Sequence, residues 1–183
     1  LVGLPYKQFQ IIRPGETIHI GKCDIDVYFS VHRRIFGQIP AVGAPLHDAH
    51  PPLRAEEYRM DMLYSLRVRY AGLSILIASG LEQEPAVEAD VLLYGADATD
   101  DQLARVLAAT KPRLVMPNHW DDMFRPLNRP ARPMIMPPPT WMPVLRRIDV
   151  KGFARRVERI RPGTRVIVPE LFAEVPLQDV LSG

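Results

Sequence analysis

Lys111-Pro-Arg-Leu-Val-Met-Pro-Asn-His-Trp-Asp-Asp-Met-Phe-Arg-Pro126 is the stretch that decides how this chain is read. The apolar run Leu114-Val115-Met116 predicts a buried strand that stops at Pro117. Immediately beyond stand His119, Trp120, Asp121 and Asp122. A strand therefore delivers an imidazole and two carboxylates to its C-terminal rim, the place where open α/β layers gather binding and chemistry.

Upstream of this word, Val91-Leu92-Leu93-Tyr94 reads as another buried strand. Thr99 and Gln102 fit a capping box for the helix that follows, and Asp100 and Asp101 suit its positive end. Leu103, Val106, Leu107 and Thr110 form the inward stripe of that helix, and Lys111-Pro112 ends it. Earlier still, residues 16–20 and 24–30 flank Gly21-Lys22-Cys23. Ile25, Val27 and Phe29 alternate there with Asp24, Asp26 and Tyr28, which predicts a β-hairpin with His32 just past its second strand. Residues 63–70 alternate again, with Tyr64, Leu66, Val68 and Tyr70 on the apolar face and Ser65, Arg67 and Arg69 opposite. Ala71-Gly72 turns the chain into residues 73–78, apolar except for Ser74 and read as a strand covered on both faces and ended by Ser79-Gly80.

Downstream, Val150, Phe153, Val157 and Ile160 give a second amphipathic helix over 150–160, with Arg155, Arg156 and Arg159 read as a solvated face. Pro162-Gly163 breaks it, and residues 164–168 form a last strand. The order is hairpins, then β-α-β-loop-α-β, a layered α/β domain with a mixed sheet.

The 183 residues suffice for one domain, 1–183, with a substantial core. A net charge of +2 gives no sign of a dense basic face for nucleic acid. Cys23 is the sole cysteine, so neither an intramolecular disulfide nor a thiolate zinc cluster is open to the chain. No apolar stretch reaches the roughly 20 residues that span a bilayer, and no signal peptide opens the sequence. Together these read as a cytoplasmic protein without membrane contact. Leu1 at the head of Leu-Val-Gly-Leu-Pro reads as a start inside a longer protein. Proline is abundant, 19 residues, and crowds 125–143, which excludes a helix or an inner strand there. Met134, Ile135, Met136, Trp141 and Met142 want cover, so this segment reads as an ordered loop packed over the body.

Three strand ends carry polar groups: His32, Ser79, and His119 with Asp121 and Asp122. Imidazoles and carboxylates converging from separate strands are what a divalent metal needs. His32 and His119 are the candidate metal ligands. Asp121 and Asp122 are the candidate catalytic carboxylates, as further ligands or as partners that orient His119. A hydrolytic zinc site takes at least three protein ligands, and the sequence does not clearly supply the third. His47 and His50 lie in a glycine- and proline-rich loop and His19 inside a strand, which reads as structural. Ser79 lacks the Gly-x-Ser-x-Gly elbow of a serine hydrolase, and no glycine-rich phosphate loop is present.

From residue 13 to 177 the chain resembles the C-terminal half of metallo-β-lactamase fold hydrolases. Pro14-Gly-Glu-Thr-Ile-His-Ile-Gly21 and the strand leading to His32 are similar to the hairpin before that family's later metal histidine. Residues 64–80 are similar to the strand pair before its bridging-aspartate turn, residues 89–94 to its "ADVLL" strand, and residues 99–120 to the helix and strand before its last metal histidine, here His119. Two departures stand out. Ser79 occupies the usual aspartate position, and the family's His-x-His-x-Asp-His motif is absent.

The resemblance implies an αββα sandwich of which this chain is about the second half, with metal at the seam. It implies a metal-dependent hydrolase of a small-molecule ester, amide or phosphoester, attacked by metal-bound hydroxide. Zinc is the expected metal, one or two ions in the complete protein, with other divalent ions as substitutes. The isolated chain is expected to bind metal weakly, and to need the N-terminal half or a second copy over its apolar sheet face. The alternative is a non-catalytic binding or scaffold module that kept the fold and lost the metal. A nucleic-acid-processing hydrolase of the same fold is disfavoured by the modest charge.

Overall fold

Turns dictate where this chain reverses. Ala71 and Gly72 both take positive φ, 48° and 78°, the backbone that a two-residue hairpin demands. Gly21, at φ 60°, begins the two-residue turn of the first hairpin. The computed structural model describes residues 10–32, 43–44, 57, 59, 62–78, 81–83, 85–122, 125–136 and 146–182. Ser79, Gly80, His47, His50, Trp141 and Met142 lie outside these.

The described residues form a mixed α/β layer. Strands β1 (Thr17–Ile20), β2 (Cys23–His32), β3 (Leu63–Tyr70) and β4 (Leu73–Ile77) are joined antiparallel, and β5 (Leu81–Gln83) pairs with the far end of β2. Then β6 (Val91–Gly95), β7 (Leu114–Asn118) and β10 (Arg165–Val166) continue in parallel, giving the order β1-β2-β3-β4-β6-β7-β10. A separate two-stranded ribbon joins β8 (Ile135–Met136) to β9 (Arg146–Arg147). Thus the proline-rich segment is not wholly loop: its short strand β8 sits in a two-stranded ribbon with β9, where prolines cost no inner ladder.

Helices α1 (Asp100–Thr110) and α2 (Val150–Ile160) cover one face of the parallel strands. Thr99 and Gln102 close the expected capping box, and Leu103, Val106, Leu107 and Thr110 are all buried. Phe153 and Val157 of α2 meet Leu76, Leu92, Tyr94 and Val115 of the sheet in one core. On the opposite face Val91 and Leu114 are buried with Leu181 of a helix the sequence pattern did not reveal, α3 (Leu177–Ser182), and Leu73, Ile75, Leu93 and Met116 are partly buried around them. No helix among the described residues is long and apolar enough to cross a membrane.

Two expectations are corrected. The strand of the opening stretch does not stop at Pro117; it runs to Asn118. The residue of matching parity, Val115, bonds toward β10, and β10 ends at Val166, so the donor Pro117 lacks has no ladder to join. Nor is β4 covered on both faces: Leu76 is fully buried, whereas Ile77, facing the other way, is 39% exposed.

The antiparallel half also inverts the simple rule of apolar inside and polar outside. Its polar side is the more enclosed one. Ser65 is fully buried and shares a 2.7 Å hydrogen bond with Ser30, and Asp26 accepts from Thr17, Arg67 and Arg69. On the apolar side, Phe29 and Tyr70 are 56% and 53% exposed. Buried polar groups that find every partner are tolerated, and on the apolar face Val27 is buried while Phe29 and Tyr70 stay open.

Candidate functional site

The site is built at the C-terminal rim of the sheet. Pro117 is buried, Asn118 half-buried and His119 exposed, and Trp120 packs back against the α1–α2 core. One left-handed residue makes this reversal: His119 has φ 51°. Outside glycine that conformation costs roughly 1–2 kcal/mol, and it is met by the apolar anchor on either side. The turn throws the imidazole off the rim into solvent.

Beyond it, the chain is tied down by a second ladder. Asp121 bridges to Pro133, the Asp122 amide donates to the Arg132 carbonyl at 2.8 Å, and the Met134 amide donates to the Trp120 carbonyl at 2.8 Å. The backbone of Asp121 and Asp122 is therefore held firmly. The Asp121 carboxylate is exposed and, like the His119 ring, makes no hydrogen bond among the described residues. Asp121 thus does not orient His119. Asp122 is half-buried and has a partner of its own.

His32 is the last residue of β2, at a break in register where β2 leaves β3 and takes Leu81 of β5 as its neighbour. Strands β2 and β7 point the same way, so His32 and His119 share one rim of the sheet. At His32 the neighbour is no longer β3 but β5, the segment that follows β4, so β2 ends over the part of the rim next to β4. Among the described residues, no three His, Cys, Asp or Glu side chains form a group able to hold a metal ion. These residues by themselves do not fit a hydrolytic zinc centre.

Asn118 is the residue that the sequence reading passed over. Its side-chain Oδ1 is buried without a hydrogen-bond donor among the described residues, one position before His119. Leaving such an acceptor unsatisfied costs about 1–3 kcal/mol, so its presence at this rim is worth explaining. The only sequence signal was a polar residue at the end of an apolar strand, between Pro117 and His119.

The remaining candidates fall away from the rim. His19 pairs with Asp24 at 2.7 Å on the exposed β1–β2 hairpin, and Cys23, a free thiol, lies at the start of β2. The arginines of α2 are not uniformly solvated. Arg156 turns back to donate to the carbonyls of Ala98 (2.6 Å) and Ala96 (3.2 Å), clamping α2 to the end of β6.

No protein-family model matches the chain, and no curated protein does. Among solved structures, the crystal structure of the metallo-β-lactamase fold protein YhfI from Bacillus subtilis is similar to it. The TM-score is 0.49 and the identity 10%, covering 87% of this chain and 52% of that one. The chain thus spans about half the length of that structure.

Proposed function

We propose that this chain carries part of the metal site of a metallo-β-lactamase fold hydrolase acting on a small-molecule ester, amide or phosphoester. The observation that carries the reading is the end of β7: a buried strand, one left-handed turn, and an exposed His119 on the rim that also bears His32. Two aspartates follow on a backbone tied to residues 132–134. The sequence resemblance suggests the family, and the shared rim supports a ligand role for each histidine.

Since the described side chains do not assemble three ligands, a complete zinc site in this reading takes ligands from beyond them. The half-open sheet supports the same view. Phe29, Tyr70 and Ile77 lie exposed on one apolar face, the surface a second layer or a second copy of the chain would cover. The role left to this chain is to present His119 rigidly and to hold its share of the substrate rim.

Metal analysis of the purified chain tests this. Zinc is expected below one equivalent, weakly held, and lost in His119→Ala. Tight stoichiometric zinc with turnover in the isolated chain would overturn the partial-site reading. Zinc uptake unaffected by His119→Ala would remove His119 from it.

The second reading is a non-catalytic binding or scaffold module. The absence of a three-ligand group among the described residues favours it, as does Ser79 at the position of the family's aspartate. It predicts no specific zinc uptake even when a segment bearing the His-x-His-x-Asp-His motif is supplied.

A further inference from the structure

Five arginines line a single cleft of about 760 Å³ on the helix side of the rim. Its floor is the link between β6 and α1, Ala96, Asp97, Ala98 and Thr99; one wall is α2 and the other is β9. Arg155, Arg156 and Arg159 come from the helix, Arg146 and Arg147 from the ribbon. The lining carboxylates are two, Asp97 and Asp149. We infer that this cleft binds a small phosphate-bearing molecule.

The arginines divide by what already holds them. Arg156 donates to Ala98, Ala96 and Asp100, and Arg159 pairs with Asp100, so both are committed to the wall. Arg155 stands 3.6 Å from Asp149 with its side chain 72% exposed, a pair that solvent weakens. Arg147 gives one nitrogen to the Pro133 carbonyl at 2.6 Å, a bond that leaves its charge uncompensated. Arg146 has no partner among the described residues. Neighbouring guanidinium groups repel, and a dianion placed between Arg146, Arg147 and Arg155 relieves that repulsion while accepting paired N–H donors.

The caps of both helices are already filled, by Thr99 at α1 and by Asp149, which accepts from the Gly152 amide at 2.8 Å. The guanidinium groups, rather than helix ends, therefore supply the anion contacts. Met136 and Ile148 give the same cleft an apolar side, and its volume is that of an ordinary small-molecule site. A concave space with arginines on both walls and apolar atoms of Met136 and Ile148 beside them suits a phosphomonoester with a modest organic group. It does not suit a long nucleic-acid backbone, which wants an extended basic track.

The cleft also connects to the histidine rim. The Met134 amide bonds to Trp120 and the Ile148 amide to Met134, so the β8–β9 ribbon and the His119 turn share one ladder. The inference stands on the arginines alone, and no metal is needed to test it.

The test is a calorimetric titration of the metal-free full chain with inorganic phosphate, phenyl phosphate and a short single-stranded RNA. Phenyl phosphate is expected to bind saturably and several-fold more tightly than inorganic phosphate. In Arg146→Ala/Arg147→Ala, with the fold checked by circular dichroism, its affinity should fall about tenfold or more. Arg155→Ala, on an exposed helical site, should weaken it independently. No saturable binding by the wild-type chain, or unchanged affinity in both variants, would overturn the inference. Equal affinities for the two phosphates would refute the part given to Met136 and Ile148. RNA binding tighter than phenyl phosphate, with steep salt dependence, would reassign the cleft to nucleic acid. Loss of phosphate binding would leave the zinc measurements on His119 as they stand, so the two readings fail separately.

Discussion

Replacing Asp26 by asparagine should destabilise the antiparallel half of the sheet by about 2–3 kcal/mol, and the loss should fade in acid. Asp26 sits in β2 with 9% of its surface exposed. Its two oxygens accept from Thr17 at 2.8 Å, from Arg67 at 2.9 and 2.8 Å, and from Arg69 at 3.0 and 3.1 Å. Burial alone would raise its pKa; the hydrogen bonds from Arg69, Thr17 and Arg67 outweigh it, holding the carboxyl at about 2 against an ordinary 3.8. At 1.36 kcal/mol for each tenfold change, that difference is about 2 kcal/mol of stability at neutral pH. Asparagine also turns a donor toward two arginines and leaves them facing each other, which adds to the loss. The sign follows from the depressed value. The contribution is complete above 3.8 and is lost as pH falls from there through about 2. Urea denaturation of wild type and Asp26→Asn, near neutral pH and again near pH 2, should show a wide gap that narrows in acid. A gap below about 0.5 kcal/mol at neutral pH, or one that stays constant into acid, would refute the assignment of this carboxylate as the centre of the network.

Other outcomes follow from single positions. Phe153→Ala removes a fully buried ring between α2 and the sheet and should cost about 3–5 kcal/mol in chemical denaturation. Thr99→Ala breaks the capping box of α1 and should cost about 1 kcal/mol, with reduced amide protection in the first turn as the local readout. His119→Ala should be less stable than His119→Gly by about 1 kcal/mol, since only glycine takes φ 51° freely; equal stabilities would argue against the left-handed turn.

The parts of the fold legible in sequence were those governed by local physics. The capping box of Thr99 and Gln102, the stripe of α1 and the Ala71-Gly72 hairpin each depend on residues within a few positions of one another. What escaped depends on distant neighbours. Whether Pro117 ends a strand is decided by where β10 stops, some fifty residues on. Whether Arg156 is solvated is decided by the carbonyls at the end of β6. Alternation in β2 and β3 told which residues share a face, but not which face is enclosed. That depended on Asp26, Arg67 and Arg69 satisfying one another, a pairing across strands.

The candidate site shows the same division. The His119-Trp-Asp-Asp word was readable because a strand end and a turn are local. The setting of His32 was not, because it depends on β2 leaving β3 and taking β5 as its neighbour, a pairing between distant parts of the chain. The rim also gathers Arg146, Arg147 and Arg155 around one cleft, joined through Met134 and Trp120 to the turn at His119.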